Sequence, residues 1–260
     1  MITNLKRMFL EQFPNTLTEK DKAELKEYYE ALGVDNKKAV AYFQSLGEQE
    51  QKEIDFTFEE ITRAFYPKFK EVYGNEFIKN AETEANLKTL LYYFAKDERF
   101  NQSPLIYNDA NLDKGLLLIG DYGTGKSVCM KVIHLLLKGA KGHTFGYIST
   151  NEVVNHYENC TDTQDKAQFW YTNNTGKRYF DDIKTEQMAN NFGKKNIMKD
   201  LIERRYENKI TTFASCNFKA DSKDMSLAIQ EFKELYGGRV YDRLFEMFNI
   251  IEWRGGSFRK

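Results

Sequence analysis

Eight consecutive residues carry the strongest chemical signal in the chain. Gly120, Asp121, Tyr122, Gly123, Thr124, Gly125, Lys126 and Ser127 read GDYGTGKS, the G-x-x-x-x-G-K-[ST] arrangement of a loop that wraps phosphates. Glycines at 120, 123 and 125 leave room for backbone N–H groups to point at an anion. A helix starting near Lys126 presents its positive end to the same group. Lys126 is expected to pair the β- and γ-phosphates, and Ser127 to ligate Mg²⁺.

Asp181 and Asp182 close the apolar run of RYFDDI. At a strand end beside the phosphate loop, one carboxylate can hold Mg²⁺ through water and a second can orient and deprotonate the attacking water. The expectation is Asp181 for the metal and Asp182 for the water. Asn217 ends ITTFASCN and is expected between the phosphate loop and the acidic pair, positioning that water; Thr211, Thr212 and Ser215 are weaker candidates. Arg239 and Arg243 lie four apart in YGGRVYDRLFEMFNIIEW, on one helical face. An arginine there can complete a neighbouring subunit's site by stabilising charge on the transferring phosphoryl group. The competing reading makes the two arginines ordinary surface partners of Asp242 and Glu246.

These residues need a frame, and residues 105–260 supply one. Short apolar runs alternate with helical stretches: GLLLIG (115–120), a helix through Val128–Leu137, TFGYIS (144–149), a helix near Glu152–Glu158, KRYFDDI (177–183) and a helix over Asn196–Tyr206. ITTFASCN (210–217), a helix around Leu227–Leu235 and FNIIEW (248–253) complete the series. Continuous apolar strands alternating with helices predict an α/β domain, its parallel sheet covered by helices on both faces. The front of the chain reads instead as a small all-helical domain. Thr18 caps a helix stopped by Gly33, and Asn36 caps one stopped by Gly47. Ile54, Phe58, Ile61 and Phe65 mark a third helix, expected to be interrupted near Pro67, after which Gly74 and Asn75 read as stop and new cap. Leu87, Leu90, Leu91 and Phe94 mark a further helix ending near Lys96. The expected division is 1–74 helical and partner-binding, 75–104 a linker helix, and 105–260 the phosphate-loop domain, with the break at NQSP (101–104). The dense aromatics of the front, from Tyr28 to Phe77, read as a small helical core, with a docking face as the alternative.

Composition bounds the function. Formal net charge over 260 residues is −1, with 41% hydrophobic and 30% charged residues, which excludes a polybasic nucleic-acid binder. Residues 1–104 hold 15 Lys+Arg against 19 Asp+Glu, and residues 105–260 hold 23 against 20, suggesting two parts with different partners. No apolar run approaches ~18 residues, and the first residues are too polar for a signal peptide. Cys129, Cys160 and Cys216 are far apart, which fits a reducing cytoplasm rather than a disulfide framework or zinc ribbon. His134, His143 and His156 show no ligand spacing.

The order of phosphate loop, RYFDDI, IERRY, TTFASCN, YGGRVYDRL and WRGGSFR resembles AAA+ ATPases of the bacterial replicative helicase-loader (DnaC) and insertion-sequence ATPase (IstB) group, over roughly residues 105–260. The resemblance implies a P-loop NTPase core with Gly120–Ser127 as Walker A, Asp181–Asp182 as Walker B, Asn217 as sensor 1 and Arg243, with Arg239 close behind, as arginine finger. It implies ATP and Mg²⁺ as cofactors, side-by-side self-assembly into an oligomer or filament, and a replicative helicase and single-stranded DNA as partners. Lys166, Phe169, Trp170, Tyr171, Lys177 and Arg178 fall where related proteins touch DNA; the competing reading is a core cluster. Two features depart from the wider AAA+ pattern: Asp182 stands where many have Glu, and the helical lid is expected to be missing, with Arg259 a partial substitute for its arginine. A slow, assembly-dependent ATPase in DNA replication is the expected activity. The alternatives are a transposition ATPase with a transposase as partner, a nucleotide-dependent binding module with little turnover, and a monomeric P-loop kinase, for which no acceptor pocket is evident.

Overall fold

The structure, a computed structural model, describes residues 56–191, 193–219 and 222–258, and the compact unit that holds them runs Ile54–Lys260. The helices expected over 18–33 and 36–47 lie outside the described residues, as do Tyr28, Tyr29, Tyr42 and Phe43.

Helix α1 (Phe58–Tyr73) starts at a capping box, in which Thr57 Oγ1 accepts from Glu60 N and the Glu60 carboxylate accepts from Thr57 N. It stops at Gly74, whose φ of 73° gives the left-handed cap that glycine adopts without strain. The expected interruption at Pro67 does not occur; the helix runs through it. Pro67 and Arg63, whose carbonyl loses its helical donor, both face solvent, while Ile61, Phe65 and Phe69 line the buried side. Burying those three side chains at ~1.5–3 kcal/mol each outweighs the ~3 kcal/mol cost of the proline. The next cap is Asn80, not Asn75: Asn80 Oδ1 accepts from Glu82 N and Thr83 N to start α2 (Ala81–Phe94). Phe77, buried against Phe65 and Phe69, draws the intervening segment inward.

A 3₁₀ turn (Glu98–Gln102) leads to the sheet. Its strands are β1 (Gly115–Gly120), β2 (Gly146–Ser149), β3 (Arg178–Asp181), β6 (Thr212–Cys216) and β7 (Phe248–Trp253), all parallel, in the order β2-β3-β6-β1-β7. A short antiparallel pair, β4 (Ala189–Asn190) and β5 (Lys194–Lys195), stands apart; the sequence reading did not foresee it. The connecting helices are α3 (Lys126–Leu136), α4 (Thr150–Glu158), α5 (Thr163–Asn173), α6 (Ile197–Glu207), α7 (Met225–Tyr236) and α8 (Gly238–Met247). Alternate residues of β1 feed two cores. Leu116 and Leu118 pack with α1, α2 and α3; Leu117 and Ile119 pack with α4 to α8. A strand buried on both faces must be apolar at every position, as GLLLIG is. This is the expected α/β architecture, a parallel sheet with helices on both faces.

The division of the chain differs from the expected one. Helices α1 and α2 share one core with the sheet and α3, so the described part of residues 56–104 belongs to the phosphate-loop unit.

Candidate functional site

In a parallel sheet, side chains at the carboxyl ends of adjacent strands converge on one edge. Here β6 lies between β1 and β3, so the phosphate loop after β1, the acidic pair after β3 and Asn217 after β6 meet. Gly125 caps α3 with φ 92° and no side-chain hydrogen bond, leaving the first N–H groups of the helix for an anion. Lys126 is 5% exposed; its Nζ donates to Gly120 O (2.8 Å), Asp121 O (2.8 Å) and Asn217 Oδ1 (3.0 Å). Burial lowers its pKa to about 8, partly offset by nearby Cys216, Asp182, Asp181 and Asp121. Asn217, itself buried, donates from Nδ2 to Asp182 Oδ1 at 3.4 Å. It therefore bridges Lys126 and the Asp182 carboxylate.

Ser127 and Asp181, 54 positions apart, touch directly: Ser127 Oγ donates to Asp181 Oδ1 at 2.7 Å. The same oxygen accepts from Ser215 Oγ (2.7 Å) and Tyr179 Oη (2.8 Å), and Oδ2 accepts from Tyr147 Oη (2.8 Å). Four hydroxyls thus hold one carboxylate. Tyr147 and Tyr179 escaped the sequence reading, although Tyr179 stands two residues before Asp181 on one strand and so shares its face. Burial, reinforced by Asp181, pushes both phenols well above their ordinary range. Asp182 adopts φ 56°, an uncommon left-handed conformation for a non-glycine residue. It is fixed by Ser215 Oγ accepting from its N–H and by the Thr150 and Thr185 hydroxyls donating to its carbonyl.

A cavity of about 450 Å³ opens over these groups. Lys126, Ser127, Asp182 and Asn217 line it, together with Phe69, Tyr73, Ile78 and Phe258. Tyr122 is exposed beside it, Asp121 pairs with Lys223 at 3.0 Å, and the Thr124 hydroxyl donates to Asp121 O. A second cavity of similar size, under Gly115 and Thr211 at the opposite end of the sheet, is lined by none of Lys126, Ser127, Asp182 and Asn217.

The two arginines are not brought to this cavity. Arg239 is exposed. Arg243 pairs with Glu207 at 3.6 Å, rather than with Asp242 or Glu246, and lies 4.4 Å over the Tyr206 ring, leaving Nη1 buried without an acceptor. Arg259 lies outside the described residues. Among the residues weighed for DNA contact, Phe169 is core, Lys177 donates to Gly142 O and Arg178 to Thr172 O. Trp170 sits between Lys195 and Arg204, and only Tyr171 is well exposed, at 54%.

The donor set fits a small hard cation. Ser127 Oγ and the Asp181 carboxylate are hard oxygen donors in contact at 2.7 Å. One or two protein oxygens plus substrate phosphates is the usual complement of Mg²⁺. Among the described residues no helix is long and apolar enough to cross a membrane.

Comparison with solved structures matches this fold. The crystal structure of the DnaC helicase loader aligns with 73% of this chain and 98% of its own, with a TM-score of 0.51 at 18% identity. A putative primosome component from Streptococcus pyogenes serotype M3 aligns with 72% of this chain and 87% of its own (TM-score 0.48), and DnaI with 75% and 94% (TM-score 0.46), both at 18% identity. No family model matches the chain, and no curated protein does.

Proposed function

We propose that the protein is a Mg²⁺-dependent ATPase of helicase-loader type, acting in DNA replication with a replicative helicase and single-stranded DNA as partners. The observation that carries the reading is the chain of contacts from Lys126 through Asn217 to Asp182, beside the Ser127–Asp181 pair. Lys126, Ser127, Asp182 and Asn217 line one cavity, and Asp181 is hydrogen-bonded to Ser127. Lys126 exchanges its bonds to the loop carbonyls for the β,γ-phosphates, and the N-terminus of α3 receives the phosphate oxygens. Ser127 and Asp181 hold Mg²⁺, which when bound supplies charge neutralisation on the phosphates. Asp182 accepts the proton of the attacking water, and Asn217 orients that water. Turnover is slow and depends on side-by-side assembly, in which Arg243 reaches a neighbour's nucleotide.

The test is multiple-turnover hydrolysis by the full chain with and without single-stranded DNA, together with capture of its protein partner. Lys126→Ala should abolish hydrolysis and weaken nucleotide binding strongly. Native-rate hydrolysis by that variant would refute the assignment. A transposase in place of a helicase would select the transposition reading, and binding without turnover under all conditions would select the binding-module reading.

A further inference from the structure

After β7 the chain runs back across the phosphate loop, and this return is stitched on both sides. On the loop side, Trp253 Nε1 donates to Thr124 O (2.9 Å, buried) and Phe258 N donates to Gly123 O (2.8 Å). On the helical side, buried Asn86 of α2 donates from Nδ2 to Arg254 O (2.6 Å) and accepts from Arg254 N (3.2 Å). The Phe258 ring lies so close to Gly125 that a Cβ there would collide with it. It also meets the Phe77 ring edge-on at 6.1 Å and lines the cavity that holds Lys126 and Ser127. The Phe258 ring shares that lining with Phe69, Tyr73 and Ile78, and a flat apolar face is a surface on which a heteroaromatic ring can stack and a phosphate cannot.

We propose that the segment Arg254–Phe258 is a strap that completes the nucleotide site, with the Phe258 ring walling the base and slowing its release. The proposal rests on the reading that this cavity binds a nucleotide. Its chemistry separates the two ends of the ligand. Phe258→Ala removes the ring and keeps the backbone N–H that bonds Gly123, so the phosphate loop retains its tether. Loss of the ring should therefore be felt by a ligand with a base and not by one without.

The experiment is stopped-flow release of a fluorescent ATP analogue from the full-length chain, with competition by unlabelled ATP and by inorganic tripolyphosphate. Loss of one base–aromatic contact predicts about tenfold faster release and about tenfold weaker ATP binding for Phe258→Ala. Phe258→Tyr should restore near-native rates, and tripolyphosphate should bind both variants within about twofold of native. ATP release unchanged in Phe258→Ala, while native binding is lost in Lys126→Ala, overturns the strap and leaves the nucleotide reading standing. Tripolyphosphate weakened as much as ATP also overturns it, because the ring would then act on the loop and not on a base. A native chain that binds no nucleotide overturns both readings.

Discussion

The buried lysine of the phosphate loop makes a prediction with two opposite signs from one proton. Lys126 has a pKa near 8 against an ordinary value of 10.5, because burial penalises its charge. The chain without nucleotide therefore holds Lys126 charged below pH 8 at a cost of about 3 kcal/mol relative to the unfolded chain. As pH rises through 8 the folded chain sheds this proton first, while the unfolded chain keeps it until about 10.5. The stability of the nucleotide-free protein, so far as it depends on Lys126, rises over that window. Nucleotide binding behaves inversely. The β,γ-phosphates hold the charged form, so affinity is full below pH 8 and falls as pH rises above it. One proton gives about tenfold weaker binding at pH 9 than at pH 7. The assays are titration of a fluorescent ATP analogue at constant Mg²⁺ across pH 7–9, and thermal melts of native and Lys126→Met chains without nucleotide over pH 7–10. The melting difference between the two should shift in favour of native as pH rises, cancelling the contributions of all other groups. Affinity that stays flat from pH 7 to pH 9, or a melting difference independent of pH, would refute the reasoning.

Four further outcomes are expected. Asp182→Asn and Asn217→Ala should each bind ATP and lose most turnover, since both leave Ser127 and Asp181 in place; loss of binding in Asp182→Asn but not in Asp181→Asn would reverse the assigned roles. Tyr147→Phe deprives Asp181 Oδ2 of a 2.8 Å donor and should cost about 2 kcal/mol, about 4–8 °C in melting temperature, with the Mg²⁺ dependence of ATP binding shifted as well. Arg243→Ala should bind ATP normally and lose turnover, and mixing it with Lys126→Ala should restore activity through the second variant's intact Arg243; no rescue in a demonstrated mixed assembly would place Arg243 in a role within its own chain. A fragment of residues 54–260 should fold and bind ATP, whereas 105–260 should melt far lower or aggregate, because it strips α1 and α2 from a shared core; equal melting of the two fragments would contradict the packing.

Legibility in the sequence followed the strength of the physical constraint. GLLLIG and FNIIEW match β1 and β7 to the residue: β1, buried on both faces, is apolar at each position, and β7 departs from an apolar run only at Asn249 and Glu252. The site residues stood out because phosphate chemistry prescribes residue types at fixed spacing. The domain break misled for the opposite reason. An aromatic stripe such as Phe65, Phe69 and Phe77 has the same periodicity whether it fills a separate helical core or docks on the sheet unit. Pro67 misled because a local rule was applied without knowing that its face would be solvated. The hydroxyls around Asp181 and the return of Phe258 onto Gly123 are tertiary contacts with no periodic signature.

Topology explains why Asn217 occupies its position. Lys126 and Asn217 are 91 positions apart, and no local pattern joins them. With β6 between β1 and β3, any polar residue at the end of β6 must lie between the phosphate loop and the acidic pair. Asn217 also faces a third way: its carbonyl accepts from Lys184 Nζ at 2.9 Å, and Lys184 pairs with Glu231 on α7 at 2.5 Å. Lys184 follows the Asp182 turn and itself has φ 79°, so the acidic loop, the end of β6 and α7 are tied through one buried ammonium. Asn217 thus contacts Lys126 through its side chain and, through its carbonyl and Lys184, is joined to Glu231 of α7.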